Sequence, residues 1–202
     1  MKIILASKSP RRKEILSSLG IKFDVIVSDV DENSEITDPA CLVCELSRRK
    51  GMAVAKSEKI LNFNEDVIII SSDTLVFCEG NIFGKPADIS EAKKMIKSLS
   101  GKTHSVFSGM SVIKVSKNGE IVEFTDFEET MVTFREMTDD DIDLYLSLES
   151  VTDKAGAYAI QGIASLWIEK INGNYFNVVG LPVNKLCSLV EKAGLNISKL
   201  IK

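Results

Sequence analysis

The chain has 202 residues, 45% of them hydrophobic and 27% charged, with a formal net charge of −4; this is the balance of a globular protein long enough to bury a full core. The negative charge excludes a general nucleic-acid coat, which needs a broad basic face, so an anionic ligand must be met by a local cluster of cations. No apolar run reaches the roughly eighteen residues needed to span a bilayer, and the apolar stretch before Lys8 is too short for a signal-peptide core, so a cytoplasmic protein that binds neither nucleic acid nor membrane is expected.

The first predicted elements are a buried strand at Ile3 to Leu5 and an amphipathic helix after Pro10, in which Ile15, Leu16 and Leu19 recur at helical spacing. Ser9 is placed to cap that helix, Pro10 suits its first turn, and Gly20 ends it. Lys8, Arg11, Arg12 and Lys13 crowd the helix start, where open N–H groups and the helix dipole already favour an anion. A phosphate or carboxylate site and a solvated basic turn both fit this stretch. Lys22 to Ser28 alternates as a strand, and Asp29, Asp31 and Glu32 then form an acidic cluster that suits a metal neighbourhood or, more simply, a turn.

Asp38-Pro39 starts a long helical pattern through Leu42, Leu46 and Val54, with Arg48, Arg49 and Lys50 on its polar side and Gly51 weakening it locally. Cys41 and Cys44 share one face of that helix. With one histidine in the chain and no second close cysteine pair, they read as core residues rather than a zinc site. Asp66 to Thr74 is a continuous apolar run ending in Ser71-Ser72-Asp73-Thr74, the pattern of a central strand whose carboxyl end presents polar side chains. Asp73 is placed there like a metal ligand or general base, with a turn or cap role as the alternative.

Leu75 to Phe77, Glu79-Gly80-Asn81 and Ile82-Phe83 predict a hairpin leading to Gly84-Lys85-Pro86. This is not a P-loop, because Gly80 and Gly84 are too close and Pro86 stands where a magnesium-binding hydroxyl is required. Lys85, between a glycine and a proline, reads as a fixed positive charge. Asp88 to Glu91 opens a helix that ends near Gly101, and Thr103 to Val115 and Ile121 to Phe134 predict a long antiparallel pair around Asn118-Gly119. His104 reads as structural, and Thr138 to Asp141 opens another helix. Asp153 to Gly162 is rich in small residues whose glycines permit close approach of a ligand, and Gln161 suits either a base edge or a turn. Ile163 to Ile171 with Asn172-Gly173-Asn174 predicts a hairpin, and Val178 to Pro182 leads into a last helix stopped by Gly194. No linker, repeat or low-complexity segment interrupts the chain, so residues 1–202 are expected to form a single domain.

Leu5 to Arg12, Ser72-Asp73-Thr74, Gly84-Lys85-Pro86, Leu99-Ser100-Gly101 with Thr103-His104, Asp153 to Gly162 and Asn177 to Pro182 together resemble the Maf family of nucleoside triphosphate pyrophosphatases, in order and over essentially the whole chain. The resemblance implies an α/β fold similar to that of inosine triphosphate pyrophosphatases: an elongated mixed sheet with flanking helices and two lobes around a cleft. It implies hydrolysis, dependent on a divalent metal (Mg2+ or Mn2+), of a nucleoside triphosphate to the monophosphate and pyrophosphate, with Asp73 as proton acceptor. Arg11, Thr74 and Gln161 match the positions that distinguish the branch acting on dTTP and UTP from the branch acting on methylated GTP, and Glu32, Lys50 and Lys85 match further polar cleft positions. The usual Gly-Glu pair is Leu148-Glu149 here, followed by Ser150-Val151-Thr152, a departure that bears on the loop before Asp153.

A triphosphate carries about four negative charges, so its cleavage needs charge neutralisation and a water aligned on the α-phosphorus. Under the resemblance Ser7, Arg11 and Arg12 hold the phosphates, Lys50 and Lys85 add charge, and Glu32 and Asp73 hold the metal. Asp73, directly or through that metal, activates water, and Thr74 and Gln161 favour a pyrimidine base. A homodimer is a further expectation from the same resemblance. The rival readings are a pyrophosphatase for modified purine nucleotides and a regulatory nucleotide-binding protein linked to cell division.

Overall fold

The computed structural model describes residues 1–201, a mixed α/β chain. Its strands are β1 (Lys2–Leu5), β2 (Asp24–Val25), β3 (Val67–Cys78), β4 (Asn81–Phe83), β5 (Thr103–Val115), β6 (Ile121–Phe134) and β7 (Ile168–Asn172). Its α-helices are α1 (Pro10–Ser18), α2 (Pro39–Ala55), α3 (Glu58–Leu61), α4 (Ile89–Leu99), α5 (Asp139–Leu148), α6 (Tyr175–Val179) and α7 (Val183–Lys192). The strands form a seven-stranded sheet in the order β2-β1-β3-β5-β6-β7, with β4 on β3. The chain divides into two compact units, one of Met1–Asp73, Ser108–Glu128 and the segment from Gly180 onward, the other of Thr74–Phe107 and Glu129–Val179. Three of the boundaries fall inside β3, β5 and β6.

In the first unit the apolar run of β1 pairs in parallel with β3, Lys2 to Leu5 lying opposite Val67 to Ile70, and the end of β1 pairs in parallel with β2. Ile4, Ala6, Val54, Ile60, Val67, Ile69 and Ile113 form its buried core. The side of α2 carrying Val43, Ser47, Gly51 and Val54 is buried, as three- and four-residue spacing demands. Two glycines let that helix come close. A Cβ on Gly51 would stand 2.5 Å from Ser71 Oγ and 2.6 Å from Ile113 Cδ1, and one on Gly109 would stand 2.1 Å from the Val43 carbonyl oxygen. Gly51 is therefore a packing residue, not merely a weak point in the helix.

In the second unit β3 and β4 form a hairpin with Cys78 opposite Asn81. Glu79 and Gly80 between them both have positive φ, 49° and 82°, as a two-residue type I′ turn requires. Asp88 caps α4 by accepting from Glu91 N–H at 2.8 Å, and Thr138 and Asp141 form a reciprocal capping box on α5. Ala92, Ile96, Leu99, Val132, Ile142 and Tyr145 belong to its core.

The structure departs from the sequence reading in five places. β2 is two residues long, because at the end of the sheet order it finds only Ile4 and Leu5 to pair with. β3 does not end at the polar cluster but continues to Cys78, since Leu75, Val76 and Cys78 are buried and the last three residues pair with β4. Ser9 occupies the cap position of α1 without a side-chain cap bond, and its own N–H donates to Ser7 Oγ at 3.3 Å. Cys41, in the first turn of α2, is exposed and Cys44 half-buried, so the pair does not belong to the core. The hairpin expected across residues 163–174 is absent: a short 3₁₀ turn precedes β7, which pairs with β6, and Asn174 then leads into α6.

No helix among the described residues is long and apolar enough to cross a membrane. His104 is structural, as expected: it is 2% exposed, its Nε2 lies 2.8 Å from Tyr158 Oη, and its ring packs edge-on against Phe134 and Tyr158. Burial lowers its pKa from 6.5 to about 4, so the folded state holds it neutral while the unfolded chain protonates it first. Stability therefore falls as pH drops from about 6.5 to about 4, by roughly 3 kcal/mol over the window. Urea unfolding across that range should show this slope, and His104→Gln should flatten it.

Candidate functional site

Parallel strands present their carboxyl ends to a ligand, and the parallel pairing of β1 with β3 gives out where β1 ends. β1 ends at Leu5 and β3 leaves its pairing with β1 at Ile70; Ala6 N–H still donates to the Ile70 carbonyl at 2.8 Å. Ser7 lies two residues beyond the first end, and Asp73 three beyond the second. Residues 71–75 of β3 lie between its register with β1 and its register with β4.

α2 runs past this point and delivers Lys50. Its Nζ stands 2.5 Å from Asp73 Oδ1 and 2.9 Å from Glu32 Oε1. The Lys50 and Asp73 side chains are 16% and 14% exposed, whereas Glu32, on the loop after β2, is 54% exposed. One ammonium thus gathers two carboxylates that are far apart in sequence. Buried hydroxyls fix the helix in this position: Ser71 Oγ donates to the Ser47 carbonyl at 2.7 Å, and Ser47 Oγ meets Ser111 Oγ at 3.0 Å.

Arg12, in the first turn of α1, turns inward. Its Nε donates to the Gly180 carbonyl at 2.8 Å, and its Nη1 to the Ser72 carbonyl at 2.6 Å and to Ser7 Oγ at 3.1 Å. Ser72 Oγ donates to the same Gly180 carbonyl at 3.1 Å. Gly180 has φ 115°, which a side chain would resist. Burial lowers the Arg12 guanidinium pKa; Asp73 opposes that shift, Arg11 adds to it and Glu32 opposes it. These couplings place Arg11, Arg12, Glu32 and Asp73 in one electrostatic neighbourhood. Arg11 is half-buried, and Lys8 is exposed, with its Nζ 3.3 Å from Asp29.

Of the residues singled out by sequence, Ser7, Arg11, Arg12, Glu32, Lys50 and Asp73 come together in the first unit. Thr74, Lys85 and Gln161 belong to the second. Thr74 follows Asp73 on β3 and is half-buried; Lys85 and Gln161 are exposed. The segments carrying the last two are tied together, since Gly156 N–H donates to the Gly84 carbonyl at 3.0 Å. A Cβ on Gly156 would lie 2.8 Å from Val76 Cγ2, which accounts for the small residues of this stretch. Lys154 is buried, with its ammonium bonded to the Ser150 carbonyl and 2.9 Å from Asp153, so the loop that departs from the family pattern is pinned from within.

Sequence reasoning did not single out the carbonyls of Ser72 and Gly180, or Arg49. Arg49 Nε donates to Glu45 Oε1 at 2.8 Å, and its Nη1 donates to the carbonyls of Asp31 and Asn33. The acid four residues before it on the same helix is the sequence signal that Arg49 is oriented.

Two carboxylates converging on one point are hard oxygen donors of the kind that bind magnesium or manganese. Magnesium is commonly held by one or two protein carboxylates, with phosphate oxygens and water completing the shell. Asp73 and Glu32 fit that donor set, and the arginines and lysine beside them suit a polyphosphate.

The family described as Maf-like protein matches residues 2–193. The chain belongs to the Maf family. It is 46% identical over 192 residues to a dTTP/UTP pyrophosphatase of Thermoanaerobacter sp. (strain X514), covering 95% of this chain and 96% of that one. It is 41% identical over 198 residues to a dTTP/UTP pyrophosphatase of Bacillus cereus (strain Q1), covering 98% of each. Among solved structures, a HAM1 protein from Coxiella burnetii aligns over 66% of this chain and 73% of its own at 13% identity, with a TM-score of 0.44.

Arg12 bonds to two carbonyls and a hydroxyl, acceptors that would lose a charged donor on substitution. Arg12→Met should therefore cost roughly 2–4 kcal/mol of stability, measured by urea denaturation.

Proposed function

We propose that the chain hydrolyses dTTP and UTP to the monophosphate and pyrophosphate at the site built on Asp73. The observation that carries this is the placement of Lys50 between Asp73 and Glu32, just beyond the stretch where β1 and β3 pair in parallel. The identity of the dTTP/UTP pyrophosphatases it matches over nearly its full length supports the substrate assignment.

Glu32 and Asp73 would hold a divalent cation shared with the substrate, and that ion, when bound, neutralises phosphate charge and acidifies water. Asp73 accepts a proton from the water that attacks the α-phosphorus. The new oxygen–phosphorus bond forms as the bridging bond to the β-phosphate breaks, and pyrophosphate leaves with the electron pair. Lys50 keeps both carboxylates directed at one point. Arg11, half-buried at the start of α1, and the open N–H groups of that helix hold the phosphate oxygens with Ser7. Arg12 contributes mainly by fixing the Ser72 carbonyl and therefore the residue after it. Lys85 adds positive charge, and Thr74 and Gln161 select the pyrimidine through hydrogen bonds to its edge.

Pyrophosphate release should be measured from dTTP, UTP, CTP, ITP and methylated GTP with magnesium or manganese. Turnover is expected for dTTP and UTP, and Asp73→Asn should lower it by about 100- to 10,000-fold while nucleotide binding persists. Binding without turnover of any nucleotide would instead establish a regulatory nucleotide-binding protein. In the same panel, Arg11→Ala and Gln161→Ala should change the ratio of kcat/KM between pyrimidine and purine nucleotides. An unchanged profile in both variants would remove the specificity assignment.

A further inference from the structure

We propose that Arg49 is a positioning residue that clamps the loop carrying Glu32, and so presents that carboxylate to the metal; this rests on the reading of Glu32 and Asp73 as the metal-holding pair. Arg49 Nη1 donates to the Asp31 carbonyl at 3.2 Å and to the Asn33 carbonyl at 2.9 Å, the two peptide oxygens that flank Glu32 in sequence. Its Nε donates to Glu45 Oε1 at 2.8 Å, one turn back on α2. Glu45 in turn accepts from Arg48 Nε at 2.9 Å and Nη2 at 3.2 Å, so the acid that orients Arg49 is itself held by a two-point contact. Arg49 is thereby fixed on the helix at one nitrogen and grips the loop with another.

The loop needs such a grip. Residues 31–35 are exposed, and residues 33–36 form, with Glu45 and Arg49, the walls of an open pocket, so apolar packing does not hold the arch against α2. Asp31 Oδ1 accepts from Asn33 N–H at 2.9 Å, which shapes the turn locally without attaching it to the helix. Arg49 attaches it to the helix, together with Ser28 Oγ to the Lys50 carbonyl at 3.4 Å and the Glu32–Lys50 ion pair. That ion pair involves the carboxylate required by the metal, so it cannot serve as an independent anchor once a cation competes for it. The guanidinium fork contacts only peptide oxygens on this loop and remains in place whatever Glu32 binds. Adjacent helix positions thus divide the work: Lys50 faces the carboxylates, and Arg49 holds the backbone that carries one of them.

The test uses Arg49→Gln, Arg49→Lys and Glu32→Gln in the full chain. Mn2+ binding is read from the free-ion electron paramagnetic resonance signal with a non-hydrolysable dTTP analogue present, and loop order from hydrogen exchange of amides 31–36. Arg49→Gln should weaken Mn2+ binding by about 10- to 100-fold and speed exchange of those amides, with the melting temperature retained. Arg49→Lys, which keeps a charge but loses the fork, should fall between it and the unaltered protein, and it carries the test if Arg49→Gln does not fold. If Glu32→Gln weakens Mn2+ binding but neither Arg49 variant does, the clamp is wrong and the site reading stands. If Glu32→Gln binds Mn2+ like the unaltered protein, the metal-holding role of Glu32 falls and the proposal with it.

Discussion

Lys50 Nζ lies 2.5 Å from Asp73 Oδ1, both side chains are largely buried, and in that position neither charge is tolerable without the other. The attraction is useful only if helix and strand meet at a fixed separation, and small residues set it. Gly51 follows Lys50 and has no Cβ to strike Ser71 Oγ, while the Ser71 hydroxyl donates to the Ser47 carbonyl one turn earlier. The strand residue two before Asp73 therefore holds the helix turn that delivers Lys50. A larger residue at 51 would push the helix off the strand, disturbing both the contact with Ile113 in the core and the reach of the ammonium to its carboxylate.

Arg12 does for the loop side what Lys50 does for the helix side. A guanidinium in the first turn of α1 opposes the helix dipole and gains little from solvent, which alone would make it costly. Its fork instead gathers Ser7 after β1, the Ser72 carbonyl on β3 and the Gly180 carbonyl before α7. Three segments that meet only through tertiary structure become one frame around the residue that follows Ser72. The Gly180 carbonyl accepts from both Arg12 and Ser72, and the backbone there has a positive φ of 115° that a side chain would resist.

Much of this was legible in the sequence, for identifiable reasons. Elements with both a cap and a period were read correctly: Asp38-Pro39 opens α2, Asp88 opens α4, Thr138 and Asp141 box α5, and Glu79-Gly80 turns β3 into β4. Errors arose where partners decide the outcome. The polar run from Ser71 to Thr74 looked like a strand end because polarity usually marks exit from a core, yet β4 gives the strand further pairing. The pattern of Lys22 to Ser28 suited a strand, but only two residues find a neighbour. In the site, local chemistry pointed to Asp73 and to the basic start of α1, whereas the Lys50 contacts to Asp73 and Glu32 span 23 and 18 positions and leave no periodic trace. Acceptors such as the Ser72 and Gly180 carbonyls are invisible to any reading of side chains.

The charge arrangement explains why a chain of net −4 can attend to a polyanion. Around Asp73, Arg11, Arg12 and Lys50 oppose the carboxylates of Glu32 and Asp73, a local excess of positive charge that the whole-chain total conceals. Arg12 is committed to carbonyls and Lys50 to carboxylates, so the protein alone neutralises only part of a triphosphate. A divalent cation on the two carboxylates would leave the Lys50 ammonium to turn toward phosphate, so the ion and the lysine would act on the polyanion together. The acidic pair and the basic cluster are thus coupled parts of one device. Lys50, in contact with both carboxylates, is the link between them.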